Sequence, residues 1–110
     1  GNNSLKLKFP SIKYSYEKIN NIEGKEYISN VLIFYGVNFI ENKNYSNAII
    51  YLTKATLLNP NSFDAWNDLG IAYYLTNQTN LTISTWKKAL SIKEDEKIKK
   101  NIKILKNKLE

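Results

Sequence analysis

Apolar residues recur at three- and four-residue steps through most of the chain after about residue 25, which is the period of an amphipathic α-helix. The pattern predicts a first helix from about Lys25 to Asn42 and a returning helix from about Ser46 to Leu58. A third helix is predicted to end at about Leu75, a fourth to run from about Leu81 to Ile92, and a fifth from about Asp95 to Leu109. The predicted fold class is therefore all-α.

Polar and helix-breaking residues separate these segments. The stretch Asn59-Pro60-Asn61-Ser62 is the strongest break. Ser62 is placed to cap the third helix, and Asp64 falls in the first turn, where the helix dipole favours a negative charge. Asp68 follows one turn later, and we expect both carboxylates to be solvated.

The beginning of the chain has a different pattern. Between Leu5 and Phe9 apolar residues alternate with lysine, which predicts an extended segment, and the spacing then suits a short helix that stops near Gly24. We therefore divide the chain into an N-terminal arm, residues 1–24, and a helical domain, residues 25–110.

The helical domain contains one 34-residue pattern twice, in residues 29–62 and again in residues 63–96. The second copy has the spacing W-x2-L-G-x2-Y…W-x2-A. The paired slots of the two copies hold Leu32 and Trp66, Tyr35 and Leu69, Gly36 and Gly70, Phe39 and Tyr73, Leu52 and Trp86, and Ala55 and Ala89. This spacing resembles the tetratricopeptide repeat (TPR), a helix–turn–helix unit of that length. The resemblance implies two antiparallel helix hairpins followed by a capping helix at residues 95–109.

Two pairs of positions that are equivalent in the two repeats lead to structural predictions. Gly36 and Gly70 are predicted to lie inside helices, where glycine costs about 1 kcal/mol relative to alanine, and close approach of a neighbouring helix is the expected compensation. Lys43 and Asn77 occupy the turn slot that usually holds glycine. Asparagine tolerates the left-handed conformation expected there better than lysine does.

In the TPR family the leading helices line the concave face of the superhelix. Carried over position by position, the resemblance implies a mainly aliphatic binding groove. Its residues are Asn30, Ile33, Val37 and Ile40 in the first repeat, and Asp64, Asn67, Ile71 and Tyr74 in the second. Ile33 and Val37 stand where co-chaperone members carry the lysine and asparagine that clamp a C-terminal carboxylate, so an acidic chaperone tail is not expected. The expected ligand is an amphipathic helix or an extended apolar segment of another protein.

Two repeats are fewer than the three usually needed to bury a continuous core. The sequence leaves open which of three elements covers the remaining exposed surface: the N-terminal arm, a partner chain or an identical copy. The leading hypothesis is a protein–protein adaptor. Its alternative is a self-assembling domain, a homo-oligomer in which the arm fills the groove or swaps into that of a second copy.

Composition narrows the function classes. The 16 basic residues are all lysine and the formal net charge is +6, so nucleic-acid binding through the lysine-rich last helix is a minor alternative, weakened by the absence of arginine. Without cysteine or histidine, disulfides, thiol chemistry and ordinary zinc sites are excluded. The sequence has no glycine-rich phosphate loop. We predict no catalytic activity, no cofactor and no metal.

The compartment is left open. The polar start Gly1-Asn2-Asn3-Ser4 resembles the tether of a bacterial lipoprotein, although Gly1 is equally explained as a residue left after removal of an expression tag. The richness in lysine, asparagine, isoleucine and tyrosine is typical of AT-rich coding sequences. These features point to the periplasmic side of a bacterial envelope, in a protein similar to the small repeat-bearing lipoproteins that assist outer-membrane protein assembly; otherwise the chain is cytoplasmic. Membrane contact is expected only through an N-terminal lipid anchor.

Overall fold

The computed structural model describes residues 22–109, which form five α-helices. They are α1 (Ile22–Glu41), α2 (Tyr45–Leu58), α3 (Phe63–Leu75), α4 (Thr79–Ile92) and α5 (Glu96–Leu109). Residues 22–109 contain no β-strand, so the predicted all-α class is confirmed. The predicted extended part of the N-terminal arm lies outside the described residues.

The helices begin and end within three residues of the predicted positions. The largest difference concerns α1, which begins at Ile22 and not near Lys25. Gly24 is buried within its first turn, so α1 runs through the point near which a short helix was predicted to stop; the earlier part of that predicted helix lies outside the described residues. Glycine is well tolerated near the beginning of a helix, where the pattern of intrahelical hydrogen bonds is only starting.

The turns between α1 and α2 and between α3 and α4 have the same backbone geometry. Lys43 and Asn77 both have φ of 61°, the left-handed conformation predicted for this slot. In each turn this residue donates its N–H to the carbonyl three residues before it, with N···O distances of 2.9 Å for Lys43 and 3.0 Å for Asn77. The next amide donates to the carbonyl five residues back, which completes a Schellman helix ending.

Side-chain caps fix the starts of α3 and α5. The Ala65 N–H donates to Ser62 Oγ at 3.1 Å, so the predicted cap of α3 is confirmed. The Ile98 N–H donates to Asp95 Oδ1 at 2.9 Å and caps α5 in the same way. Each cap satisfies an amide that a helix leaves unpaired at its N-terminal end.

Gly36 and Gly70 mark the closest approach of the two helices in each hairpin. A Cβ atom on Gly36 would lie 2.6 Å from Leu52 Cγ of α2. A Cβ on Gly70 would overlap the indole ring of Trp86 on α4. The predicted reason for glycine at both positions is therefore confirmed.

Two apolar clusters hold the helices together. The first joins the two hairpins and consists of Ala48, Leu52, Leu69 and Ala72. The second joins α4 to α5 and consists of Ile83, Trp86, Ala89, Ile98, Ile102 and Leu105. Within the described residues, α5 thus covers the end of the second hairpin, as a capping helix does in repeat folds.

One apolar residue of α5 is not buried although it continues the spacing of the buried ones. Leu109 follows Ile98, Ile102 and Leu105 at the helical period, yet 53% of its surface is exposed. It ends α5 beside the turn between α3 and α4, where it lines an open depression with residues 77–81. None of the five helices in residues 22–109 combines the length and the apolar character needed to cross a lipid bilayer.

Candidate functional site

The four predicted groove residues of α1 do not form a freely exposed surface. Asn30 is exposed, whereas Ile33, Val37 and Ile40 are partly buried. Ile33 and Ile40 pack against the cluster that joins the two hairpins. They therefore stabilise the contact between α1 and α3 as well as contributing to the surface.

Three of the four predicted groove residues of α3, Asn67, Ile71 and Tyr74, pack at or near Trp86 of α4. The Trp86 indole N–H donates to the Asn67 carbonyl at 3.1 Å, and the indole stacks on the Tyr74 ring with centroids 6.4 Å apart. Ile71 packs against the cluster around Trp86, while Asp64 is exposed. The position of the indole thus determines how far Ile71 and Tyr74 project from the surface.

A cavity of about 340 Å³ opens between α3 and α5, and we call it the α3–α5 cleft. It is lined by Ile71, Tyr74, Trp86, Asn101, Ile104, Leu105 and Lys108. It exists because α5 packs on α4 but does not approach α3: no Cα of α5 lies within 8 Å of a Cα of α3. The structure thus brings Ile71 and Tyr74 together with residues of the capping helix, and the predicted residues of α1 are not in this lining.

The cleft is apolar inside and polar at its edge. Trp86 is 5% exposed and contributes the indole surface at the bottom, while the half-exposed Ile104 contributes one wall. Tyr74, Asn101 and Lys108 are the lining residues with polar side-chain groups besides the indole of Trp86. A small apolar cavity with a few polar groups suits an apolar side chain whose backbone remains at the surface.

Sequence reasoning did not predict Asn101, Ile104 or Lys108 as site residues. The fifth helix was interpreted as a cap and, in the minor alternative, as a lysine-rich surface for nucleic acid, and neither interpretation placed it beside the groove. The missed signal is a second stripe, because Asn101, Ile104 and Lys108 recur at steps of three and four and lie on one side of the helix. Ile104 also interrupts a face otherwise rich in lysine.

Asp68 is not simply solvated as expected. Burial raises the pKa of its carboxyl group to about 6, and the negative charge of Asp64 one turn earlier acts in the same direction. Asp64 itself is exposed. The helix α3 therefore carries a carboxyl group whose raised pKa favours its protonated form under mildly acidic conditions.

The sequence matches no protein-family model and no curated protein. Among solved structures it is similar to that of a point mutant of MamA, with a TM-score of 0.66 and 19% sequence identity. The similarity covers 91% of this chain and 86% of that chain. MamA contains tetratricopeptide repeats, so this similarity and the five helices together give the chain a TPR-like fold.

Proposed function

We propose that this chain is a non-catalytic protein-interaction module that binds an amphipathic helix or an extended apolar segment of another protein. The TPR-like fold supports the general role, because repeat folds of this kind present concave surfaces to their partners. The observation that carries the proposal is the α3–α5 cleft. Two predicted groove residues, Ile71 and Tyr74, meet the unpredicted Ile104 there around an accessible apolar cavity.

The lining of the cleft favours a particular mode of binding. An apolar side chain of the partner enters between Ile71 and Ile104 and contacts the Trp86 ring. Tyr74 and Asn101 are then placed to hydrogen-bond the partner backbone, and Lys108 favours an acidic residue beside the apolar anchor. The rest of the segment runs along the exposed parts of α1 and α3, past Asn30 and Asp64.

Site-specific photo-crosslinking tests this proposal in the full chain. A photoreactive amino acid at position 74 should capture a partner in extracts of the native cell, whereas the same group at position 50 should not. Tyr74 and Ile50 are a matched pair, since both are 48% exposed but Ile50 lies on α2, away from the cleft. Similar capture at both positions would contradict binding in the cleft.

Charge substitution provides the complementary test. Tyr74→Glu and Ile104→Glu should abolish retention of the captured partner, because each places a carboxylate at the cleft without removing a fully buried side chain. Ile50→Glu is the control and should retain the partner. Far-ultraviolet circular dichroism must show the same helix content in all three variants.

The cellular compartment of the protein is also part of this proposal. A place on the periplasmic side of a bacterial envelope is supported by the composition of the chain, which is rich in lysine, asparagine, isoleucine and tyrosine. Fractionation of cells that express the natural protein, with and without globomycin-type inhibition of lipoprotein processing, would distinguish an anchored protein from a cytoplasmic one.

One observation favours the minor alternative, nucleic-acid binding. Six exposed lysines lie on α5: Lys97, Lys99, Lys100, Lys103, Lys106 and Lys108. A binder of this kind should hold any duplex, with an affinity that falls steeply as the salt concentration rises. Retention of the partner by a cleft variant such as Ile104→Glu, together with such a salt dependence, would favour this alternative.

A further inference from the structure

The end of the first hairpin carries a connected group of exposed and partly exposed aromatic rings, Phe34, Tyr35, Phe39 and Tyr51. Together with Tyr27 on the same helix, we call them the terminal aromatic face. Tyr27 and Phe34 are each 65% exposed and Tyr35 is 50% exposed. The rings of Phe34 and Tyr35 meet edge to face at 5.6 Å, and Tyr35 and Phe39 both lie beside Tyr51, at 6.2 and 5.0 Å. Single exposed apolar residues are ordinary, but a connected patch marks a surface that binds something.

The repeat itself identifies what kind of contact is missing. Tyr35 occupies the same repeat slot as Leu69, which is only 4% exposed because α3 packs against α2 of the preceding hairpin. Within the described residues, no helix precedes α1. The terminal aromatic face is therefore the surface on which a preceding element of the stack would pack.

We propose that residues 5–19 of this same chain bind the terminal aromatic face, in the place where a preceding element of the stack would pack. This segment ends three residues before Ile22, where α1 begins, so the chain itself tethers it to the first hairpin. Its apolar content suits an aromatic surface: Leu5, Leu7, Phe9, Ile12, Tyr14, Tyr16 and Ile19. A tethered segment has an effective concentration in the millimolar range, which favours it over a second copy or a free partner.

The distances permit this contact. Tyr35 lies 13 residues after Ile22, or about 20 Å along the helix axis at 1.5 Å per residue. An extended chain covers about 3.3 Å per residue, so roughly six residues are enough to return over that length. Residues 5–19 therefore reach every ring of the face with length to spare. The α3–α5 cleft stays free, so this inference does not depend on the proposed function.

A double-mutant cycle in the full chain tests the contact. The arm variant is Leu7→Ser with Phe9→Ser, and the face variant is Phe34→Ser with Tyr35→Ser. Each should lower the melting temperature by about 5 °C, and the combined variant should lose little more than one of them, because both remove the same contact. The control combines the arm variant with Ile50→Ser, a similarly exposed position on α2, and its effects should add.

Light scattering on the same samples separates the two possible sources of the segment. Non-additive losses in a monomer, independent of protein concentration, are the expected result. Additive losses for the arm and face variants would overturn the proposal. Non-additive losses that occur only in a dimer would also overturn it, in favour of a second copy that exchanges its arm. The outcome of the crosslinking experiment at the cleft affects neither conclusion.

Discussion

The two hairpins share one sequence pattern but differ in what surrounds them. The second hairpin lies between α2 on one side and α5 on the other, whereas within residues 22–109 the first has a neighbour on one side only. Leu69 is 4% exposed, and its counterpart Tyr35 is 50% exposed. The repeat pattern thus fixes the contacts inside a hairpin, but the neighbouring elements decide how much each slot contributes to stability.

Alanine substitution of these two counterparts should give the largest difference in stability between the hairpins. Leu69→Ala should lower the free energy of unfolding by about 3 kcal/mol, because it leaves a cavity in the cluster that joins the hairpins. Tyr35→Ala should cost no more than about 1 kcal/mol, because half of the side chain is exposed and the contact proposed for residues 5–19 is spread over several rings. Denaturant titration of both variants measures the difference, and equal losses would show that residues 5–19 bury Tyr35 as completely as α2 buries Leu69.

Adding a methyl group at the two glycines should give a smaller difference. Gly70→Ala should cost about 2–3 kcal/mol, because Trp86 cannot retreat without losing its hydrogen bond to Asn67 and its contact with Tyr74. Gly36→Ala should cost less, about 1–2 kcal/mol, because the Leu52 side chain must shift but breaks no hydrogen bond when it does, and alanine favours the helix. A larger loss at Gly36 would contradict this account. The crosslinking yield at position 74 should fall only in Gly70→Ala.

In the first hairpin, Phe34 occupies the repeat position that Asp68 has in the second. Only the second hairpin therefore has an ionisable side chain at this position. The pKa of Asp68 is raised from 3.8 to about 6, so between those values the folded state keeps a proton that the unfolded state releases. Stability should therefore fall as the pH rises from about 4 to above 6. Asp68→Asn should remove this dependence and add on the order of 1 kcal/mol at pH 7, a value reduced by the partial exposure of the group.

Measurements over the same pH range also test whether Asp68 causes the pH dependence of stability. Denaturation of the wild type and of Asp68→Asn should be followed at about pH 4, 5, 6 and 7, with Asp64→Asn as the control. Removing the Asp64 charge should lower the pKa of Asp68 only in part, because burial is the larger cause of the shift. A pH dependence that is unchanged in Asp68→Asn would assign it to another group.

The two left-handed turn residues should give the smallest effects. Lys43→Gly should stabilise the chain by about 0.5–1 kcal/mol, because lysine is strained at a φ of 61° and glycine is not. Asn77→Gly should gain roughly 0.3 kcal/mol or less, because asparagine already tolerates that conformation. Thermal unfolding of the two variants should preserve this order, and the reverse order would mean that other contacts of Lys43 offset its backbone strain.

Local features could be predicted from the sequence, and contacts between distant elements could not. The helices, the Ser62 cap and the turns at Lys43 and Asn77 depend on a few neighbouring residues, so periodicity and residue type predicted them. The exposure of Tyr35 and Leu109 depends on what lies beyond each end of the stack. Periodicity says whether a residue is on the apolar side of its helix, but not whether a neighbour covers that side.

The candidate site shows the same division. Ile71 and Tyr74 were predicted because the repeat gives their positions on α3, whereas Ile104 was not, because its role depends on the separation of α5 from α3. That separation is a tertiary property without a periodic signal in either helix. The burial of Asp68 was missed for the same reason, since adjacent helices and not adjacent residues remove its water.

The attachment of α5 has a mechanical consequence. In the described part of the chain the backbone of this helix approaches only that of α4, through Ile98, Ile102 and Leu105, while its other side borders the cleft. The width of the cleft is therefore set by the same contact that buries these three side chains. A substitution that shifts α5 on α4 changes the shape of the cleft and the stability of the fold together.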